Sequence, residues 1–475
     1  MTNPFRSRSG LVALALALAA SGSALSTSVA TAAPGDSART NAGATTAGQS
    51  YDRLIVHFAS STAAATSDAA AQSEVDAVGR DAGQRLTVTR RLSTGGALVQ
   101  VATPLDKPGT DALLARFVER SGVAYAEVDA LMSPTLTPTD PLYTKQWHYY
   151  EPVAGMNLPG AWDTATGTGV VVAVLDTGIT VHPDLDANVI AGYDFVSNAT
   201  FARDGNGRDS NPADQGDWTT RNQCYGGSQP TNSTWHGTHV SGTVAAVNNN
   251  GVGVTGVAYG AKVQPVRVLA ACGGTLADIA DAITWASGGT VSGVPANPTP
   301  AKVINMSLGG GGTCGATYQN AINGAVARGT IVIVAAGNSN GNAASYQPSS
   351  CTSTVVVAAS DREGNRASYS NYGAIVDLTA PGGETATAAN GVASTLNSGT
   401  TIPGTPNYVY YQGTSMATPH VAGMAALVLG KRSYTPADLE SVLKAGVRPL
   451  AGTCTGGCGT GLVDATKTIA SVPAV

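Results

Sequence analysis

Charged and aromatic side chains are scarce in this 475-residue chain: Asp, Glu, Lys and Arg make up 12% of it, and Phe, Trp and Tyr 5%. No basic stripe forms, and the formal net charge is -5, which argues against a nucleic-acid partner. The scarcity of charge does not imply disorder, because 43% of the residues are hydrophobic and 58 glycines provide tight turns. Beyond the first segment, no stretch is long and apolar enough to span a bilayer. Cysteine is absent until Cys224.

The first segment has its own logic. Arg6 and Arg8 precede an apolar run over residues 11–20 that is short for a membrane span. Small residues follow, and Ala30-Thr31-Ala32 fits a signal-peptidase site, so residues 1–32 read as an export signal. The protein is therefore expected to be secreted and extracellular, with no membrane association after signal removal. Residues 33–50, rich in Ala, Thr, Ser and Gly, read as a flexible spacer. In an exported protein an even set of cysteines favours disulfides over metal or redox chemistry. Cys224, Cys272, Cys314, Cys351, Cys454 and Cys458 allow about 15 pairings. The sequential one is the expectation. Cys454 and Cys458 flank Gly456-Gly457, which suits a small loop; as a zinc pair they lack further ligands nearby.

A length of 475 residues exceeds one typical core, so at least two folded units are expected. Residues 51–129 show strands at 54–58, 97–102 and 123–128, with helices after Thr66 and over 111–119. Two helices on a small sheet make a ferredoxin-like α+β domain. Residues 130–140, with three prolines between 134 and 141 nearby, read as a linker. From 141 to 475 the pattern changes. Short β-branched runs at 170–175, 263–269, 303–306, 331–335 and 355–359 alternate with helical stretches such as 276–286 and 318–328. Such runs predict an α/β fold, a doubly wound and mostly parallel sheet with helices on both faces. Reactive groups then gather beyond the carboxyl ends of the strands.

Three segments carry the chemistry. The first strand runs into Asp176-Thr177-Gly178, an acid at the end of a buried strand followed by a turn glycine. Trp235-His236-Gly237-Thr238-His239 places an imidazole before a helix of small residues. His236 and His239 stand three apart, without the four-residue spacing and adjacent Glu of zinc-protease helices. Gly413-Thr414-Ser415-Met416-Ala417-Thr418-Pro419-His420 sets a serine at a helix start, with Pro419 expected in the first turn.

Together these segments resemble the Asp, His and Ser signatures of the subtilisin-like serine proteases, in that family's order. The similarity extends through Ser307-Leu308-Gly309-Gly310, Ala335-Ala336-Gly337-Asn338-Ser339 and Ala380-Pro381-Gly382, over roughly residues 141–472. The resemblance implies a serine endopeptidase acting on protein or peptide substrates. Ser415 would be the nucleophile, His236 the general base, and Asp176 the group that orients and stabilises the imidazole. Asn338 and the Ser415 backbone N–H would hold the oxyanion. Substrate would lie extended between Ser307, Leu308 and Gly309 on one side and Gly273 and Gly274 on the other. Ala335, Ala336 and Gly337 would form one wall of a roomy specificity pocket, open to large apolar side chains.

The same resemblance implies structural calcium. Asp184 matches a ligand, Asp140 could complete the site, and the loop 247–252 offers either Asn249 or Asn250. A second acidic loop contains Asp204, Asp209 and Asp214, with Asp217 behind; it reads equally as a calcium turn or as a solvated loop, and lacks the distant Glu of an EF-hand. Residues 51–129 resemble the family's inhibitory propeptides, which makes the enzyme's own propeptide an intramolecular partner and places a maturation site within 130–140. The mature enzyme is expected to be a monomer. A non-catalytic binding protein on the same fold, or a site-selective processing protease, are the competing readings.

Overall fold

A computed structural model describes residues 39–41, 45, 50–130 and 137–473. The export signal, most of the spacer and most of the linker lie outside the described residues. The chain divides into two compact units, with the boundary after Asp129.

In the smaller unit, strands β1 (Tyr51–Phe58), β2 (Leu86–Arg91), β3 (Ala97–Leu105) and β4 (Val123–Val128) form one sheet in the order β2-β3-β1-β4, with every pairing antiparallel. Helices α1 (Asp68–Ala82) and α2 (Lys107–Val118) complete a β-α-β-β-α-β unit. Two local features differ from the sequence expectation. Helix α2 starts four residues earlier than 111, because the Asp106 side chain caps Gly109 N–H and Pro108 suits the first turn. Strand β2 was not anticipated: its Leu-Thr-Val-Thr-Arg-Arg sequence is mostly polar, as befits an edge strand. Gln72 of α1 fastens it by accepting from Val88 N–H and donating to the Leu86 carbonyl.

The larger unit is built on seven parallel strands: β5 (Val171–Asp176), β6 (Tyr193–Asp194), β7 (Lys262–Arg267), β8 (Val303–Met306), β10 (Ile331–Ala335), β12 (Val355–Ser360) and β13 (Leu378–Pro381). Between them run the short antiparallel pair β9 (Gly310–Gly311) and β11 (Tyr346–Gln347). The sheet order is β13-β12-β10-β8-β5-β7-β6. Its central strands are buried along their whole length and apolar but for Asn305 and Ser360, because both faces are covered. Val172, Val174, Ile331 and Ile333 face helices α3 (His236–Ala245) and α6 (Thr414–Lys431). Ala173, Leu175, Ile304 and Val332 face helices α4 (Leu276–Ala286) and α5 (Ala316–Ala327). The doubly wound expectation describes this layering. Strands β6 and β7 lie on one side of β5, and the remaining strands on the other. Connections therefore leave in opposite directions at the carboxyl end of β5, which opens a crevice there.

The antiparallel hairpin β14 (Val392–Asn397) and β15 (Pro406–Tyr411) lies outside the main sheet and also escaped the sequence reading. It packs on α3, where the Ser394 and Thr395 hydroxyls donate to the His239 and Thr238 carbonyls. Gly242 permits that approach, since a Cβ there would sit 2.1 Å from Thr395 Oγ1. Three disulfides form among the described residues: Cys224–Cys272, Cys314–Cys351 and Cys454–Cys458. Among the described residues no helix is long and apolar enough to cross a membrane.

Candidate active site

Asp176 is the last residue of β5 and is fully buried. His236 is the first residue of α3, and its Nδ1 lies 2.8 Å and 3.0 Å from the two Asp176 carboxylate oxygens. Burial disfavours the imidazolium, but the charge and hydrogen bond of Asp176, with Asp217 and Asp214 farther off, prevail and raise the His236 pKa above the usual histidine range. His239, one helical turn on, has the opposite environment. Its Nε2 meets the Val392 and Val409 carbonyls, its ring stacks on Tyr411, and burial pushes its pKa down to about 3. It is a neutral packing residue.

Ser415 is the second residue of α6, after Gly413, whose φ of 148° favours glycine. Its hydroxyl donates to the Ser307 carbonyl at 3.1 Å, and the Ser307 hydroxyl donates to the Ser415 carbonyl at 2.9 Å. No hydrogen bond joins Ser415 to His236 in this arrangement; the two side chains share the walls of one cleft. The helix begins at Thr414, so Pro419 falls in its second turn and not in the first as expected. A proline there removes the N–H that would bond the Ser415 carbonyl, and the Ser307 hydroxyl takes its place.

Asn338 follows β10. Its Oδ1 accepts both the backbone N–H and the hydroxyl of Thr414, each at 2.8 Å. The Thr414 hydroxyl in turn accepts Gly337 N–H at 3.2 Å. With Oδ1 engaged twice, the Nδ2 donors remain for the cleft that Asn338 lines.

The cleft holds about 1010 Å³, and its walls include Gly273, Gly274, Ser307, Leu308 and Gly309. A smaller pocket of about 300 Å³ adjoins it, walled by Ala335, Ala336, Gly337 and Tyr346. One wall escaped the sequence reading. The segment 217–234 contributes Asp217, Thr219, Tyr225 and Gln229, and the Cys224–Cys272 disulfide ties it to the Gly273 edge. The hydroxyls of Thr177 and Thr414 were likewise missed, though each follows or precedes a residue that was singled out.

The two acidic regions separate. Asp140 accepts the N–H groups of Asn249 and Asn250, and Asp184 accepts Asn250 Nδ2 and Val254 N–H. Both acids are buried, and burial raises Asp184 to about 6, with the Asp140 charge adding to the shift. The Asn249 side chain faces Thr139 instead. In the second region Asn206 donates to both Asp204 and Asp209. Asp204 pairs with the buried Arg267, Asp209 accepts from Asn206 and Asn211, and Asp214 accepts from Thr177 and Gly216.

A parallel sheet with an acid, an imidazole and a serine at its carboxyl edge defines a class. The subtilase family model matches residues 167–461, and the chain belongs to the subtilase family; it is a serine endopeptidase. Among its relatives, the extracellular protease of Xanthomonas campestris pv. campestris is 50% identical over 88% of this chain and 72% of its own length. The extracellular basic protease of Dichelobacter nodosus is 45% identical over 74% of this chain, which spans 58% of that relative. A solved structure of proteases from Pseudoalteromonas arctica is 58% identical, covers 71% of this chain and 100% of its own, and superposes with a TM-score of 0.70.

Proposed function

We propose that this chain is a secreted endopeptidase, made as a self-processing precursor, which cleaves peptide bonds through Asp176, His236 and Ser415. The observation that carries this reading is His236 Nδ1 held between both oxygens of Asp176, with Ser415 and Asn338 on the same cleft. On substrate binding, the Ser415 hydroxyl leaves the Ser307 carbonyl and passes its proton to His236 Nε2 as Oγ attacks the scissile carbon. Asn338 Nδ2 and the Ser415 N–H receive the oxyanion. His236 then protonates the leaving amine, and water releases the acyl group by the reverse path. Specificity is broad, with the 300 Å³ pocket beside Ala335, Ala336 and Gly337 accepting large apolar side chains.

Residues 51–129 are the inhibitory propeptide, and Ser415 cuts the chain within 130–140; a parallel sheet rich in distant contacts gains most from such a folding aid. The export signal and the extracellular names of the relatives support secretion. The mature enzyme works as a monomer. One structural calcium is held by Asp140 and Asp184 with the Asn250 corner. The donor set fits: two buried carboxylates lie close together, and among the described residues neither forms an ion pair with a Lys or Arg. A cation there would offset their mutual repulsion.

The test is a fluorophosphonate label with peptide mapping, beside intact mass of Ser415→Ala protein. Modification of Ser415 and accumulation of the uncleaved precursor are expected. A mature-sized Ser415→Ala product would end the self-processing claim, and labelling elsewhere would end the assignment of the nucleophile.

A further inference from the structure

Behind the Asp176–His236 pair lies a second carboxylate with no solvent role. Asp214 is 2% exposed, and its Oδ1 accepts Gly216 N–H at 2.8 Å. Its Oδ2 accepts the Thr177 hydroxyl at 2.6 Å, and that hydroxyl accepts the Gly237 N–H at 3.0 Å. Gly237 follows His236 at the start of α3. A helix start leaves its first N–H groups without partners, and these are usually capped by the residue just before the helix. Here that residue is Trp235, whose backbone is left-handed at φ 50° and whose side chain makes no cap. Thr177 performs the capping from the bend just after β5.

The segment holding Asp214 is built into this spot. Ile179 N–H donates to the Pro212 carbonyl at 3.1 Å, and Asp214 N–H to the Ile179 carbonyl at 2.9 Å. Gly237 and Gly178 allow the contact: a Cβ on the first would lie 2.2 Å from the Gly178 carbonyl, and on the second 2.5 Å from the Pro212 carbonyl. A continuous path of hydrogen bonds therefore joins a buried acid to the backbone beside the imidazole.

We infer that Asp214 is a positioning residue for the reaction: through the Thr177 hydroxyl it fixes the first turn of α3, and with it the His236 ring against Asp176. This rests on the reading of His236 as the general base. Burial raises the Asp214 pKa to about 7, so its part is that of a hydrogen-bond acceptor, among several titratable groups. Asp176 lies on β5, Asp217 on the cleft wall, His239 on α3 itself, and Arg267 at the end of β7 faces Asp214.

The experiment compares mature wild-type enzyme with Asp214→Asn, Thr177→Val and Thr177→Ser, counting active sites by fluorophosphonate titration. For Asp214→Asn, kcat per titrated site should fall about tenfold with KM unchanged, in line with small misplacements of catalytic groups. Thr177→Val should lose kcat to a similar degree, and Thr177→Ser, which keeps the hydroxyl, should restore it. A folded Asp214→Asn enzyme with wild-type kcat per site overturns the inference. Should Asp214→Asn fail to mature, equal activity of the Val and Ser variants at 177 overturns it as well. Full activity of His236→Ala would instead refute the assignment of the base and leave the hydrogen-bond path without a catalytic object.

Discussion

At the corner of Asp140 and Asp184, two buried carboxylates share Asn250 as donor and, among the described residues, meet no Lys or Arg; along 204–217, the acids take arginine, asparagine and threonine partners. Asp204 meets Arg267, Asp214 meets Thr177, and Asp217 accepts the N–H and hydroxyl of Thr234. In sequence the second region is the richer in acid. Acid content alone therefore says little about a cation site. What favours the first region in the calcium proposal is that its two acids, from positions 140 and 184, are brought to one residue, Asn250, without a cationic side chain beside them.

Disturbing the arginine should give the largest effect. Arg267 is fully buried with Asp194 and Asp204, so Arg267→Met leaves two acids without their cation. A loss of about 3–5 kcal/mol is expected, read by urea unfolding in the Ser415→Ala background. Next comes calcium. At roughly a hundredfold excess over Kd, the ion should add about 2–3 kcal/mol to stability. Chelation should remove that increment from the wild type and change nothing in Asp184→Asn, which calorimetry would show. A third test concerns the two histidines of α3. The base must be neutral to take a proton, so kcat/KM should fall as pH drops through a His236 value raised above the ordinary range. His239, pushed down to about 3, should add no second limb. The smallest effect is expected for Asp209→Asn: a change within about 0.5 kcal/mol and an unaltered calcium response.

The sequence shows most where one local pattern suffices. Strands β8 and β10 and helix α4 coincide with their apolar runs, because each lies in a fully covered sheet or presents one apolar face. Hairpin β14–β15 was not legible, since its segments mix polar residues with Tyr and its partner is α3 and not the main sheet. Helix α6 was legible as a helix but not in its phase: nothing local fixes Thr414 as its first residue, and so Pro419 was placed one turn early. Asp176, His236 and Ser415 stand out because each sits in a dense motif. Thr177 and Thr414 act through hydroxyls that reach segments about 60 and 77 positions away, which no window along the chain displays.

Pro419 gives helix α6 a dependency. With one rung missing from its ladder, the helix does not satisfy the Ser415 carbonyl from within, and the Ser307 hydroxyl, just past the end of β8, donates to it. The same two residues are joined a second time, by the Ser415 hydroxyl on the Ser307 carbonyl, so strand end and helix start are keyed to each other on both sides.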